Sequence, residues 1–479
     1  MLYNVHMLKS INTKTKIVCT IGPSTNKREI LECLINNGMN VARINLSHGE
    51  INTHKNIISK IKSIRTSLDV PIGIMIDLPG SKLRLKTYQE NSLTVANNQT
   101  VYLSNKLTTN INNLEIPHKI YQHILIGDHL IIADGLVNLI AEKILPDKVI
   151  CKSLNSGEIS HRKSIYIKDK EIDLDPNIKF QQKWFEFIAD MKPDFVAVSM
   201  VNTKKDILLL KKELNKLGWN GILISKIETK QSILNLDEIL QFSNGVMVAR
   251  GDMGLHIPIE EVPIVQKNII TKSNKLGIPV ITATQMLESM IYSPIPTRAE
   301  VTDIANAILD GTDAIMLSGE TAIGKFPMEA VKMMSKVANV TEQKINYQGI
   351  LSQKLNQLEN AVDDSIAYNA SHSSLQINAD VILAFTESGA TAMRVSKYRP
   401  KSPIIALTNS KEIVNKLTLF WGINAGLSEK LNSVDDFFSL GENIGEKFIV
   451  DWKSNLIVLI AGLPIGVSGE TNLLRIIKK

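Results

Sequence analysis

Short apolar runs rich in Val and Ile recur along the chain, each followed by a stretch whose apolar positions have helical spacing. Eight are apparent: Lys16 to Ile21, Asn40 to Leu46, Pro71 to Asp77, Asp194 to Met200, Ile222 to Glu228, Gly245 to Gly251, Ile278 to Thr284 and Asp313 to Ser318. Strands that alternate with helices pair in parallel, because a parallel neighbour needs a crossover connection. Runs that are apolar at nearly every position belong to strands covered on both faces. Eight such units predict an α/β fold, a (β/α)8 TIM barrel.

The rhythm breaks between Asp77 and Asp194. Residues 79–163 show short alternating stretches instead, such as Ser92 to Ala96 and Val101 to Ser104, with a turn signal at Ala133-Asp134-Gly135. A small β-barrel domain inserted after the third barrel strand is expected, placed at the barrel's C-terminal mouth as a lid. The barrel is then residues 1–78 and 164–346. The stretch Gln348 to Asn360 is polar and reads as a linker. An α/β rhythm restarts beyond it, with strands at Val381 to Phe385, Ile404 to Leu407 and Leu456 to Ile460, so residues 347–479 form a third, C-terminal α/β domain.

Composition narrows the class. With 479 residues the chain exceeds one ordinary domain. Its 44% apolar and 21% charged residues argue against wholesale disorder. No window holds enough uninterrupted apolar residues for a membrane span. The first ten residues lack the apolar core and small-residue cleavage site of a signal peptide. Net charge is +6, from 54 basic and 48 acidic residues without a concentrated run, so no nucleic-acid partner is indicated. Cys19, Cys33 and Cys151 lack metal-type spacing and cannot all pair, which suits a reducing, cytoplasmic setting.

Candidate chemistry clusters at the predicted strand ends, where barrel enzymes build their sites. Side chains alternate along a strand, so Lys226 and Glu228 share a face. A buried ion pair would give the same pattern. The next run ends Arg250-Gly251-Asp252-Met253-Gly254, bringing a second carboxylate to the mouth. Glu228 and Asp252 offer hard oxygen ligands, and Mg²⁺ takes one or two carboxylates with water and substrate completing its shell. Gly251 and Gly254 let the backbone approach an anion, and a helix starting there would aim free N–H groups at it. A glycine-rich turn with a capping Asp is the alternative. In the second strand Arg43, Asn45 and Ser47 share a face, and a guanidinium suits phosphate. Ser47-His48-Gly49 fits a helix N-cap equally well. Asp77 ends the third strand, and Thr284 the seventh; a mouth threonine can bind a carboxylate or simply be a β-branched strand residue. Together these positions supply positioning and charge neutralisation, the needs of phosphoryl transfer.

These residues resemble the pyruvate kinase family. The matching segments are Thr20-Ile21-Gly22-Pro23-Ser24, Asn40 to Gly49, Lys226-Ile227-Glu228, Met247 to Gly254, Ile281 to Met290, Pro296 to Glu300 and Asp313 to Thr321. The resemblance spans nearly the whole chain and is most specific in the barrel. It implies transfer of the phosphoryl group of phosphoenolpyruvate to ADP, giving pyruvate and ATP. It implies that Lys226 stabilises the moving group and the enolate, that Glu228 and Asp252 hold Mg²⁺ (Mn²⁺ as an alternative), and that Gly251, Asp252 and Thr284 hold the substrate carboxylate. Arg43 and Arg84 would contact phosphates, Asn45, His48 and Lys163 the nucleotide side, and Thr284 with water would deliver the proton. A homotetramer is expected by the same resemblance.

Three segments depart from the family pattern. The usual Asp-Thr-Lys-Gly-Pro-Glu-Ile-Arg reads Asp77-Leu78-Pro79-Gly80-Ser81-Lys82-Leu83-Arg84. The family's K⁺ position would involve Asn45, Ser47, Asp77 and the Thr. With Leu78 and Lys82 changed together, an ammonium tethered at Lys82 is expected to replace K⁺; a solvated hinge lysine is the alternative. The lid's usual Lys-Gly-Val-Asn-Leu-Pro reads Lys163-Ser164-Ile165-Tyr166-Ile167-Lys168, and Lys179-Phe180-Gln181-Gln182 replaces Ser-Glu-Lys-Asp. In the C-terminal domain Thr386, Ser388, Gly389 and Thr391 follow a strand as a phosphate cradle would. The family binds a sugar-phosphate effector there; an ordinary N-cap at Ser388 is the alternative. Ser468 to Asn472 resembles a second loop of that site. Two other readings compete: a different phosphoenolpyruvate-using barrel, and a catalytically silent homologue. The chain is expected to lack the additional C-terminal domain of some bacterial relatives.

Overall fold

The eight expected strands close into one parallel barrel in a computed structural model that describes residues 13–80, 83–106, 111–133, 135–168, 170, 178–356, 358–430, 436, 438–439, 454–464 and 471–478. The strands are Lys16–Thr20, Val41–Asn45, Gly73–Leu78, Phe195–Val198, Ile222–Ile227, Gly245–Ala249, Val280–Ala283 and Ala314–Leu317. Closure is made by the first and last, with Lys16 opposite Ala314. The period-two pattern sorts the side chains. Val18, Met75, Ile224, Met247 and Ile281 fill the barrel, whereas their neighbours Ile17, Ile74, Leu223, Val246 and Val280 pack outward against the helices.

The helices end where their sequences stop them. Thr297 and Glu300 form a capping box at the start of the helix Arg298–Asp310, and Gly311, at φ 100°, terminates it. A Cβ on Gly311 would come within 2.6 Å of Asn274, so glycine is needed there on two counts.

The inserted segment is β-rich. Among the described residues its strands form a six-stranded sheet and a two-stranded sheet, Leu93–Val95 with Gly157–Ile159, that share one apolar core. The expected turn joins the antiparallel strands His129–Ile132 and Val137–Ile144, although Asp134 lies outside the described residues. Ile165–Ile167 pairs with His129–Ile132, so strands of this sheet run past residue 163.

The C-terminal domain is a five-stranded sheet ordered Ile423–Leu427, Ile404–Thr408, Val381–Phe385, Leu456–Ala461 and Leu473–Lys478. All neighbours are parallel except the last pair. The expected linker is instead the helix Tyr347–Leu355, capped by the Asn346 side chain accepting from Gly349 N–H at 2.9 Å. Its polarity is misleading because only a narrow stripe, including Leu351, is buried.

This domain closes the barrel floor. Leu419 is fully buried within the barrel's interior cluster, a burial that contributes about 1.5–3 kcal/mol. Beside it Arg399 grips Asp313 through two bonds of 2.9 Å, and Lys16 donates to the Ile423 carbonyl at 2.6 Å. Among the described residues no helix is long and apolar enough to cross a membrane.

Candidate active site

The fifth strand carries Lys226 on the same face as Ile224, which points into the barrel, so its ammonium emerges at the C-terminal mouth. There it donates to Ser199 Oγ at 2.7 Å and lies 3.3 Å from Glu228 Oε2 and 3.7 Å from Asp77 Oδ1. Burial alone would lower the pKa of Lys226. The attraction of Asp77, Glu228 and Asp252 outweighs burial and the repulsion of Arg43, so the pKa lies above the ordinary lysine value. The group is a fixed cation. Glu228 is fully buried, and its other oxygen accepts from Met200 N–H at 2.6 Å.

Arg43 and Asp77 face inward from adjacent strands whose register sets Asn45 opposite Asp77. Arg43 Nε and Nη2 reach Asp77 Oδ2 at 2.8 and 2.7 Å, and Nη1 donates to Thr20 Oγ1 at 2.8 Å. Fork and partner are both buried, which fixes the guanidinium's orientation towards the mouth.

The sixth strand runs directly into the short helix Arg250–Met253, which carries Gly251 and Asp252. Gly251 N–H donates to Thr284 Oγ1 at 2.8 Å, and that hydroxyl donates to the Ala283 carbonyl at 2.7 Å. Thr284 and Gln285 have φ values of 66° and 53°. A β-branched residue avoids this region, at a cost of about 1–3 kcal/mol. Strain is therefore concentrated at the threonine beside the glycine turn.

The sequence-predicted mouth residues thus fall into two joined groups: Arg43, Asp77, Lys226, Glu228 and Asp252 by charge, and Gly251 with Thr284 by hydrogen bond. Glu228 and Asp252 both act on the Lys226 charge, so two carboxylates border the same space. Two hard oxygen donors beside a fixed ammonium fit a divalent cation such as Mg²⁺.

The outer candidates lie at the rim. Asn45 Oδ1 accepts from Ser47 N–H at 3.0 Å, while Ser47 and His48 are exposed. Arg84 and Lys163 are exposed neighbours where the inserted domain begins and ends: Leu85 N–H donates to the Lys163 carbonyl at 3.0 Å, and Arg84 Nη1 to the Arg162 carbonyl at 2.8 Å. Lys82 lies outside the described residues. The inserted domain reaches back over the mouth, with the Tyr166 ring edge-on to His256 at 5.4 Å, four residues beyond Asp252.

The C-terminal loop is remote from this cluster in the fold. Thr386 follows the central strand, Ser388 is exposed, and Gly389, at φ 89°, caps the helix Ala390–Lys397. Thr391 Oγ1 meets Thr471 Oγ1 at 2.9 Å, so the two loops singled out in sequence touch; residues 468–470 lie outside the described residues.

Ser199, Thr20 and Arg250 have no role in the sequence reading, yet all three contact the site. Ser199 bridges Lys226 to the Leu78 carbonyl, accepting at 2.7 Å and donating at 3.2 Å. Its position after the fourth strand was the available signal; its partners depend on tertiary register.

Comparison with known proteins covers the chain almost end to end. Residues 12–331 match the family model "Pyruvate kinase, barrel domain", and residues 364–477 match "Pyruvate kinase, alpha/beta domain". A pyruvate kinase of Clostridium acetobutylicum is 38% identical over 467 residues, covering 97% of this chain and 99% of that protein. One of Staphylococcus epidermidis is 39% identical, with 97% of this chain and 80% of that protein covered. Among solved structures, a pyruvate kinase from Cryptosporidium parvum superimposes with a TM-score of 0.90 at 34% identity, covering 98% of this chain and 96% of that one.

Proposed function

This chain belongs to the pyruvate kinase family of phosphotransferases, and from that premise we propose that its barrel mouth transfers the phosphoryl group of phosphoenolpyruvate to ADP, yielding pyruvate and ATP. The observation that carries the reading is the buried ammonium of Lys226, kept charged among Asp77, Glu228 and Asp252 and aligned with the Arg43 fork. Phosphoryl transfer needs such preset charge more than it needs covalent chemistry.

In this reaction the enol P–O bond breaks as a β-phosphate oxygen of ADP bonds to phosphorus, and the enolate left behind takes a proton on carbon. Arg43 and Lys226 hold the phosphoryl oxygens, and Lys226 also faces the charge released on the enolate oxygen. Glu228 and Asp252 would hold Mg²⁺ (or Mn²⁺), which when bound neutralises phosphoryl and enolate charge. The Gly251 N–H would exchange its bond to Thr284 Oγ1, and the Thr284 hydroxyl its bond to the Ala283 carbonyl, for the substrate carboxylate. Thr284, with water, is the proton's route. Asn45, His48, Arg84 and Lys163 border the nucleotide side, under the inserted domain as a lid.

Turnover without K⁺ is part of the reading. Leu78 stands where the family has Thr, and its side chain, buried in the outer barrel core, brings no hydroxyl to a cation. Lys82 is the proposed tethered cation. Thr386, Ser388, Gly389 and Thr391 are the proposed cradle for a sugar-phosphate effector. A homotetramer in the cytoplasm completes the proposal. Exposed Tyr292 and Ile295, just before the Thr297–Glu300 segment, support a subunit interface there.

The test is pyruvate formation from phosphoenolpyruvate and ADP with Mg²⁺, first in K⁺-free buffer and then with K⁺ added. Full activity without K⁺ supports both parts. Activity only with K⁺ keeps the reaction and rejects the tethered cation; binding of phosphoenolpyruvate without turnover in either buffer rejects the reaction.

A further inference from the structure

One side chain reaches three carbonyls along the turn at Thr284 and Gln285. Arg250 Nη2 donates to the Thr284 carbonyl at 2.6 Å and the Gln285 carbonyl at 3.2 Å, and Nε donates to the Ala283 carbonyl at 3.3 Å. From its other side Nη1 donates to both carboxylate oxygens of Asp303 at 2.8 and 2.7 Å, and Asp303 sits on the helix Arg298–Asp310. The residue after Arg250 contributes the N–H that meets Thr284 Oγ1. One planar fork thus gathers three successive carbonyls at the point where two non-glycine residues have positive φ.

Such a turn does not persist unaided. A β-branched residue relaxes to negative φ unless its surroundings hold it, and relaxation would swing the Thr284 carbonyl and hydroxyl together. The fork opposes this because its donors are coplanar and fixed in relative direction, which a lysine ammonium cannot reproduce. Asp303 sets the plane of the fork and is only half-buried, so its charge is partly solvated while its geometry is retained. An ordinary ion pair joining helix to barrel would need only the contact with Asp303. The three carbonyls on the opposite side of the guanidinium have no part in that explanation.

We propose that Arg250, braced by Asp303, is a positioning residue that keeps Thr284 in its strained conformation with its hydroxyl aimed at the Gly251–Asp252 turn. The inference rests on the reaction proposed above, in which that hydroxyl serves the substrate carboxylate and the proton reaching the enolate carbon. Arg250 acts through Thr284 and touches no reacting atom. Misplacing Thr284 should slow the protonation step far more than it weakens substrate binding, because most binding contacts come from Arg43, Lys226 and the glycine turn.

The experiment compares wild type with Arg250→Lys, both normalised to folded protein by circular dichroism. Two rates are read: steady-state pyruvate formation, and exchange of pyruvate methyl hydrogens in D₂O with Mg²⁺ and ATP, which reverses the protonation step. The expected result is a fall of about 10- to 100-fold in kcat and a comparable fall in methyl exchange, with KM for phosphoenolpyruvate changed by less than about threefold. A crystal structure of the variant should show Thr284 out of the left-handed region and its bond to Gly251 N–H lost. Rates within about twofold of wild type per folded molecule, or an unchanged turn in the crystal, overturn the proposal. If wild type forms no pyruvate, the reaction assigned above is what has failed, and the variant's turn geometry alone decides the role of Arg250. Should Arg250→Lys not fold, Asp303→Asn leaves the guanidinium present but unbraced, and a drop of about three- to tenfold in kcat at unchanged KM is then expected; no drop overturns the proposal.

Discussion

Lys226 and Lys354 are both buried, one at the mouth of the barrel and one where its floor meets the C-terminal domain. For each, burial is the largest influence, and it opposes the ammonium. At the mouth Asp77, Glu228 and Asp252 reverse it, and the pKa rises. At the floor burial wins and Arg399 adds repulsion; Asp313 and Asp364 attract, Lys397 repels, and the pKa is lowered to about 7. The floor does not lack carboxylates. Asp313 is already gripped by Arg399 at 2.9 Å, and Asp364 is paired with Lys397 at 3.1 Å. What separates the two ends is whether negative charge is left over. The mouth holds three carboxylates, Asp77, Glu228 and Asp252, against the two cations Lys226 and Arg43, a surplus that a divalent cation and an anionic substrate can use. The floor has spent one acid on a cross-domain pair, Asp313 with Arg399, and the other inside the C-terminal domain, Asp364 with Lys397, so Lys354 is left without surplus negative charge.

The sharpest break in this contrast is expected from Lys226→Met. Removing the ammonium takes away the cation facing the transferring group but leaves the barrel core intact. Pyruvate formation should fall by about 10⁴-fold or more while the variant stays folded and still binds phosphoenolpyruvate with Mg²⁺. Single-turnover assays with calorimetric binding check both halves, and appreciable retained turnover would refute the role given to Lys226.

At the floor the corresponding break is in stability. Arg399→Met leaves Asp313 buried without its guanidinium, accepting from the Val280 N–H at 3.1 Å and the Trp421 N–H at 3.3 Å and facing the Lys354 ammonium. Breaking a buried pair from one side costs about 3–5 kcal/mol, so urea midpoints should drop accordingly. A loss below about 1 kcal/mol would mean that water or the Lys354 ammonium compensates Asp313 and that the pair does not hold the domains together.

The barrel was legible because its strands are apolar on both faces and recur regularly on either side of the inserted domain; each of the eight runs overlaps an observed strand. The mouth residues were legible for a related reason. Once a strand is placed, alternation dictates that Arg43, Asp77 and Lys226 face inward. Elements with mixed composition were missed. Ile423–Leu427 contains Asn, Ala and Gly, which carry little strand preference, and Leu473–Lys478 is an edge strand exposed along much of its length. The helix Tyr347–Leu355 hid its narrow buried stripe among polar residues. Nothing in the letters Ala-Thr-Gln marks Thr284 as left-handed, because that conformation is imposed from outside by Arg250. Partners chosen by tertiary register, such as Ser199 for Lys226, have no local signal at all. The K⁺ question turns partly on Lys82, outside the described residues.

The smallest expected effect tests the stranded cation itself. Lys354 has an ordinary value of 10.5 and a folded value of about 7. Between these the unfolded chain binds more protons than the folded one, so this residue makes stability rise as pH rises from about 7 towards 10.5. Below that window both states carry the proton, and the full cost of burying the ammonium is borne. Lys354→Met keeps the volume and removes the charge. The variant should therefore be more stable than wild type near neutral pH, by roughly 1–2 kcal/mol, with the gain shrinking as pH climbs. Lys14 and Lys16, each lowered to about 8, titrate in both proteins and cancel from the difference between their curves. Urea unfolding of the pair at pH 6.5, 8 and 9.5 gives the answer. Parallel curves would show that Lys354 keeps an ordinary pKa, that water or a rearranged carboxylate reaches it, and that the floor has charge to spare after all.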